Sequence, residues 1–292
     1  MGGKWPLSAL FAVTVWGGSF VATKHALGPE DARVFTPFGL VTMRFLLGGG
    51  VMLVWLLKRG ERVLPEPADR RRTTLLGGIL AAHIGIQTYG LKYTYATHAG
   101  WIVAFSSVTI AVAAHLFLRQ RLRTVGWLGV VIAMAGVYGV TRPHSGTAPE
   151  HMGFGDFLQF VGCFTWTAYT LVGARAVRGS GSLRVTTSAS LVAGLAMLVP
   201  VCFSGFGNAP GWPEILSLLY LGLLSSAAAF AAWMHAQAKF GSQRTAAMLY
   251  LEPFVTALVA SFVGEPIVLV TVIGGVTVLL GVWLVQRGAA KA

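Results

Sequence analysis

Four ionisable side chains stand inside long apolar runs: Lys24, Arg44, His83 and Glu252. An ionised group at the centre of a membrane helix costs about 2.5–3.5 kcal/mol on insertion scales, so such groups face the protein interior or a wet path. Glu252 is the deepest acid, near mid-depth of its run. Pro253 follows it, removing a backbone donor and disturbing the preceding turn. A carboxylate beside a broken helix could bind a substrate ammonium or take up a proton in coupling. It could equally be an interior carboxyl that stays protonated or bonds a neighbouring helix end. His83 is also near mid-depth, where an imidazole can donate and accept a hydrogen bond. A ligand contact and a satisfied interior histidine both stay open for it. Arg44 and Lys24 lie toward the end of their runs that should lack positive charge. One reading is an electropositive vestibule that receives a carboxylate. The other is pairing with Glu30, Asp31 or Asp156, with Lys24 and Lys92 snorkelling to the interface.

Aromatic residues complete the candidate set. Trp16, Trp101, Phe105, Trp166, Tyr169 and Tyr250 fall within apolar runs, whereas Trp and Tyr at run ends are ordinarily interface anchors. Trp16 and Trp166 occupy matching places when the two halves are overlaid, and they could frame a cavity or simply pack helices. The expected substrate contacts are therefore Trp16, His83, Trp101, Phe105, Trp166, Tyr169, Tyr250 and Glu252. Coupling or gating is assigned to Lys24, Arg44, Glu252 and Pro253. No histidine pair at i, i+4 accompanies an acid, so no metal is expected, and no cofactor. Enzyme motifs are missing: there is no His-Glu-x-x-His, no Gly-x-Ser-x-Gly and no phosphate-cradling Gly-Lys-Ser/Thr loop.

The runs that must position these groups dominate the chain. Of 292 residues, 55% are hydrophobic and 11% charged, and the mean hydropathy is +0.68. A soluble domain carries roughly 25% charged residues, so the class is a polytopic membrane protein. Ten windows come close to the ~20 apolar residues that a spanning helix needs. They are Leu7–Leu27, Pro37–Leu57, Thr74–Tyr93, Thr97–Phe117, Val125–Thr141, Phe154–Ala174, Leu183–Phe203, Ile215–Gln237, Gln243–Val263 and Ile267–Gln286. Backbone groups in lipid must be bonded within their own segment, so these runs are helices. The first is expected to be retained as a span, since its flank is too lightly charged for a signal peptide.

Charge sets the orientation. Seventeen of the 22 basic residues fall in connectors on one side, from Lys4 and Lys58 through Arg119 and Arg175 to Arg287 and Lys291. Only Arg33 and Arg142 fall in connectors on the other. Both termini should face the cytoplasm. The net charge of +12 sits in short loops, on no soluble domain, so nucleic acid is not an expected partner. Cys163 and Cys202 lie in apolar runs and give no disulfide framework.

The chain also repeats itself. At a shift of 146 residues, Phe105-Ser106-Ser107-Val108 falls on Leu251-Glu252-Pro253-Phe254, and Arg119 falls on Glu265. A connector that is basic in one copy and acidic in the other places the copies upside down, the plan of many secondary transporters. The expected organisation is a five-helix repeat over 1–142, a connector over 143–153 and an inverted repeat over 154–292.

The sequence resembles the EamA-type branch of the drug/metabolite transporter superfamily. The likeness is carried by Trp16-Gly17-Gly18-Ser19-Phe20, Met43-Arg44-Phe45, Gly90-Leu91-Lys92-Tyr93, Leu249-Tyr250-Leu251-Glu252-Pro253 and Gly264-Glu265-Pro266, in order along nearly the whole chain. It implies an all-α membrane protein of ten helices in two inverted five-helix repeats around a central cavity. It also implies movement of a small metabolite, usually outward, with the lipid bilayer as the other partner. An amino acid or related amphipathic compound is the leading substrate class. A nucleoside, vitamin or cationic drug is the alternative within the superfamily, and a non-transporting membrane scaffold the alternative outside it. Proton coupling, and a monomer or homodimer in the inner membrane, complete the expectation. The first-copy connector departs from the family by reading Arg119-Gln120-Arg121 where a Gly-Glu-Arg type is common, so the acidic position is not shared by both gates.

Overall fold

The computed structural model describes residues 6–29, 34–119, 121–141 and 151–289, apart from the side chains of Leu118 and Gln243. Lys4, Trp5, Glu30, Asp31, Arg33, Gln120, Arg142, Glu150 and Lys291 lie outside the described residues, as does most of the 143–153 connector. Among the described residues the helices run in order: α1 Leu7–Leu27, α2 Pro37–Lys58, α3 Pro67–Leu91, α4 Ala96–Phe117 and α5 Thr124–Val140. They continue with α6 Met152–Ser180, α7 Ser182–Ser204, α8 Trp212–Phe240, α9 Arg244–Phe262 and α10 Leu269–Gly288. Eight are long and apolar enough to cross a membrane. The other two, α3 and α5, fall short for different reasons. Helix α3 carries Asp69-Arg70-Arg71-Arg72 in its first turns and His83 and Gln87 further along. Helix α5 has 17 residues. No strand occurs among the described residues, only an isolated antiparallel bridge between Leu122 and Ala289.

Large apolar side chains stand exposed along these rods, among them Phe117, Val131, Phe203, Phe262 and Leu269. Patches of that kind would drive a soluble chain to aggregate, whereas acyl chains cover them at no cost. Burial between helices here rests on close approach. The α5/α10 contact is the most extensive in the molecule, and it is a seam of glycines. A Cβ on Gly129 would meet the Gly281 carbonyl at 2.5 Å, and one on Gly281 would meet the Ala133 nitrogen at 2.3 Å. Without a hydrophobic force between helices in lipid, such backbone approach supplies the dispersion contact that holds the pair. Gly281→Leu must push backbone from backbone, at about 1–3 kcal/mol for overpacking. Its melting temperature should fall by several degrees in detergent, while Gly78→Leu, with open space around it, should leave it unchanged.

The other contacts build a ring around the centre. Helix α1 packs along α8 and α9, and α6 packs along α3 and α4. Helix α2 lies against α7 and α8, while α7 lies against α2 and α3. Three rods are irregular where they pass the centre. Helix α4 breaks at Ala104–Phe105 and restarts at Ser106. Helix α9 is wound as a 3-10 helix over Ala247–Leu251 and resumes α-helical form at Glu252, with Pro253 in its first turn. Helix α8 is a π-helix over Tyr220–Ala229. The two breaks are bonded to each other, Ser107 Oγ donating to the Ala246 carbonyl at 3.0 Å.

Candidate functional site

A small cavity of about 30 Å³ lies where α1, α2, α3, α4, α6, α8 and α9 meet. It gathers Trp16, Arg44, His83, Trp166 and Glu252 from five of those rods, together with Ser225 and Phe230 of α8. That volume is about the share of one water molecule in the liquid.

The irregular backbone explains who reaches the centre. The 3-10 turn and Pro253 make Glu252 the first residue of a new helical segment, 3% exposed, and its Oε2 is buried with no hydrogen-bond partner. The π-helix widens α8 and presents Ser225 and Ser226 on adjacent positions toward α2. Arg44 fits there: Nε donates to Ser226 Oγ at 2.9 Å and Nη2 to Ser225 Oγ at 2.8 Å. Gly48 permits this approach, since a Cβ on it would stand 2.5 Å from the Gly222 carbonyl. The guanidinium and the Glu252 carboxylate thus line one cavity, and neither forms a salt bridge with the other.

Aromatic rings form the remaining wall. Trp16 stands edge-on to Trp166 at 5.2 Å between centroids and donates its indole N–H to the Ser225 carbonyl at 3.2 Å. Trp166 stacks on Tyr169 at 5.2 Å and packs against Trp233 at 5.4 Å. Trp166 Nε1, Tyr169 Oη and Trp233 Nε1 are buried without a hydrogen-bond partner. His83 packs on Trp166 at 5.2 Å and meets Thr165 Oγ1 through Nδ1 at 2.9 Å. That hydroxyl also lies 2.9 Å from the Gly162 carbonyl.

Trp101, Phe105 and Tyr250 are not at this cavity. Trp101 packs on Phe254 and on Gly275 of α10. Phe105 packs at a tilt against Phe160 on the wall of a separate cleft. Tyr250 turns away and donates to the Val282 carbonyl at 3.1 Å. Tyr169 stands in the aromatic cluster behind Trp166, and Pro253 shapes the backbone without lining the cavity. Ser19, Gln87, Ser225 and Phe230 line it too, though the sequence did not mark them as contacts. Gln87 could have been noticed, one helical turn from His83 in an apolar run.

The electropositive vestibule takes another form. Arg44 is bonded to serines, and Asp156 is engaged elsewhere: it accepts from Thr94 Oγ1 and pairs with His98 Nδ1 at 3.2 Å. Lys24 donates to the Thr94 carbonyl and lies over the Tyr95 ring at 5.6 Å. Glu265, from the α9–α10 connector, takes the Thr97 N–H at 2.8 Å, its hydroxyl at 2.6 Å and the Ala96 N–H at 3.1 Å. A carboxylate on the first N–H groups of a helix satisfies orphan donors and meets the positive end of its dipole. Residues 94–98 are therefore held by α1, α6, α10 and the α9–α10 connector.

The EamA-like transporter family matches residues 3–142 and 153–287. An "Uncharacterized transporter" of Archaeoglobus fulgidus is 30% identical over 97% of this chain and 98% of its own. The "Uncharacterized transporter YyaM" of Bacillus subtilis is 26% identical over 91% and 88%. The "Uncharacterized inner membrane transporter YedA" of Escherichia coli K12 is 24% identical over 88% and 82%. Among solved structures, one crystal structure superposes on 95% of this chain and 94% of its own, with a TM-score of 0.70 and 21% identity.

Proposed function

The chain belongs to the EamA-like transporter family, a multi-pass membrane protein whose relatives are named transporters, and from that premise we propose a secondary transporter that exports a zwitterionic metabolite of the amino-acid class. One observation carries the substrate class: Arg44 and Glu252, whose Oε2 has no hydrogen-bond partner, line the same cavity without forming an ion pair with each other. A zwitterion supplies both missing partners. Its carboxylate meets the guanidinium, which keeps Nη1 beyond its two serine bonds. Its ammonium meets Glu252 Oε2, and its side chain replaces apolar contacts among Trp16, Trp166 and Phe230. An organic cation would use Glu252 and the rings but leave the buried Arg44 charge without an anion.

The architecture proposed is two inverted five-helix halves. Several features support it. Exchanging each helix for its fifth successor exchanges the observed packing: α1 on α8 becomes α6 on α3, and α1 on α9 becomes α6 on α4. The restart at Ser106 and the restart at Glu252 stand 146 residues apart, the shift at which the sequence repeats. Broken helices at matching depth around a central site are the common plan of transporters that alternate access. A cavity of about 30 Å³ holds no amino acid, so this conformation is read as occluded. Release outward requires the Glu265 clamp on Thr97 to part, and the opposite end opens in turn. The inner membrane, with both termini cytoplasmic, is proposed from the distribution of Lys and Arg and from the similarity to YedA.

Counterflow in proteoliposomes tests the substrate reading. Preloaded neutral amino acids should drive saturable uptake of a labelled one. The matching decarboxylated amine and N-acetyl acid should each fail, because each lacks one charge. Counterflow by the amine alone would replace the zwitterion by an organic cation.

A further inference from the structure

On one side of the central cavity, buried polar atoms without a hydrogen-bond partner form a file. They belong to Thr73 of α3, to Trp166, Tyr169 and Thr170 of α6, and to Trp233 and Gln237 of α8. None of the six residues is more than 4% exposed. The file begins at the cavity wall with Trp166, whose ring packs on Tyr169 and Trp233. Thr170 lies one helical turn beyond Trp166, and Gln237 one turn beyond Trp233. Both steps lead away from the cavity toward the basic end of α6 and α8, where Arg175, Arg178 and Lys239 stand. The three helices meet on the way. A Cβ on Gly173 of α6 would stand 2.7 Å from Met234 Cε of α8 and 3.6 Å from Leu76 Cδ1 of α3. Thr73 lies one turn from Leu76, toward Asp69. There the file ends in bonded groups. Ser180 Oγ donates to Asp69 Oδ2 at 2.9 Å and accepts the Glu66 N–H at 3.0 Å. Arg72 pairs with Asp69 at 3.3 Å, and Gly179 has no room for a Cβ beside that carboxylate.

Nearly all buried polar groups in native proteins are paired. Gln237 bonds through neither its amide oxygen nor its amide nitrogen. An apolar side chain of like size would fill the same space without the desolvation cost, so packing in this conformation does not account for the amide. A conformation that wets the file does. From this we infer that the core between α3, α6 and α8 is the closed inner leg of the substrate path. Its mouth is latched by Ser180 on Asp69 and Glu66. When the leg opens, Thr170 and Gln237 meet water and the polar groups of the passing substrate. A hydroxyl and an amide each donate and accept, so they serve an ammonium and a carboxylate alike. The unpaired groups also bear on the balance of states. Their desolvation offsets part of the packing that closes the leg, which keeps open and closed forms close in free energy, as alternation needs. The path rests on the transporter reading and leaves the choice of substrate open.

Thiol labelling of the full chain in lipid nanodiscs tests it. In a Cys202→Ser background the remaining Cys163 is buried. Thr170→Cys, Gln237→Cys and, as a control in the α5/α10 seam, Ala133→Cys each add one buried thiol. A charged, water-soluble methanethiosulfonate should modify the first two at least about tenfold faster than the control. Adding Ser180→Ala should raise both rates severalfold and leave the control unchanged. Asp69→Asn serves in its place if Ser180→Ala does not fold. Where opening is rare in the parent, reaction appears only with the latch weakened, and that result also supports the path. Rates equal to the control in both backgrounds would overturn it, leaving a sealed core. Fast reaction that a weakened latch does not change would overturn it in favour of a standing wet pocket. No substrate enters the assay, so the two readings fail separately. Counterflow by an amine alone changes the substrate and leaves the path. Unreactive thiols in a chain that exchanges amino acids remove the path and leave the substrate.

Discussion

Glu252→Gln should abolish coupled transport while leaving a folded protein. The substitution keeps the shape of the side chain and removes the only acid that lines the central cavity among the described residues. The carboxyl is buried, and its Oε2 has no hydrogen-bond partner. Nearly every buried polar atom in a native protein is paired, so an orphan on a cavity marks a place for a ligand atom or a proton. Folding does not draw on this group, and loss of a bond that is not made costs little stability. On the proposed mechanism, transport draws on it twice, for the substrate ammonium and for the proton that replaces it. In proteoliposomes, wild-type flux should vary from roughly pH 5 to 8, whereas the amide should show residual exchange with no pH dependence. If the variant keeps wild-type flux and its pH profile, Glu252 has no part in coupling.

Arg44→Met should raise the half-saturation concentration of the substrate by about 10–100-fold. A hydrogen bond to a charged group contributes about 1.5–3 kcal/mol, and 1.4 kcal/mol is tenfold in affinity. Folding should be affected only modestly, because the guanidinium is held by two neutral hydroxyls and its removal leaves no buried counter-ion behind. The lost partners are two serine hydroxyls, which can turn to backbone carbonyls in the helix. Arg44→Lys should recover only part of the affinity. A point ammonium cannot hold Ser225, Ser226 and a carboxylate in one plane. Paired measurement of melting temperature and counterflow decides the matter. A variant with wild-type half-saturation would remove Arg44 from the site and return the reading to an organic cation.

These two residues show how unevenly the site was legible. Both stand out in the sequence, because an ionisable residue in an apolar run is rare whatever surrounds it. Their meeting does not. They are 208 residues apart in the chain, and nothing in periodicity says that α2 and α9 face one cavity. Asp156, one of the three acids the sequence reading offered as partners, is taken by His98 and Thr94. The aromatics divide in the same way. Trp16 and Trp166, at matching positions, do meet, yet Trp101, Phe105 and Tyr250 look no different in the sequence and point elsewhere. Which face of an all-apolar helix turns inward is fixed by partners, since its own pattern is nearly the same all round. The π-helix in α8 leaves no signature beyond small residues, and it alone brings Ser225 and Ser226 to Arg44.

The sequence by itself determined the class and the approximate reach of the helices. Both follow from local physics: the cost of an unpaired backbone group in lipid and the length of an apolar run. It also offered a repeat as an expectation, with Ser106 answering to Glu252. Tertiary structure alone decided that Arg44 and Glu252 share a cavity, that the Glu265 end is clamped on the α4 N-terminus, and that a file of unpartnered polar groups leads from the cavity wall toward Asp69 and Ser180. Those are contacts between distant segments. Glycine seams, broken turns and hydrogen bonds across helices set them, and none of these is written in the spacing of any one run.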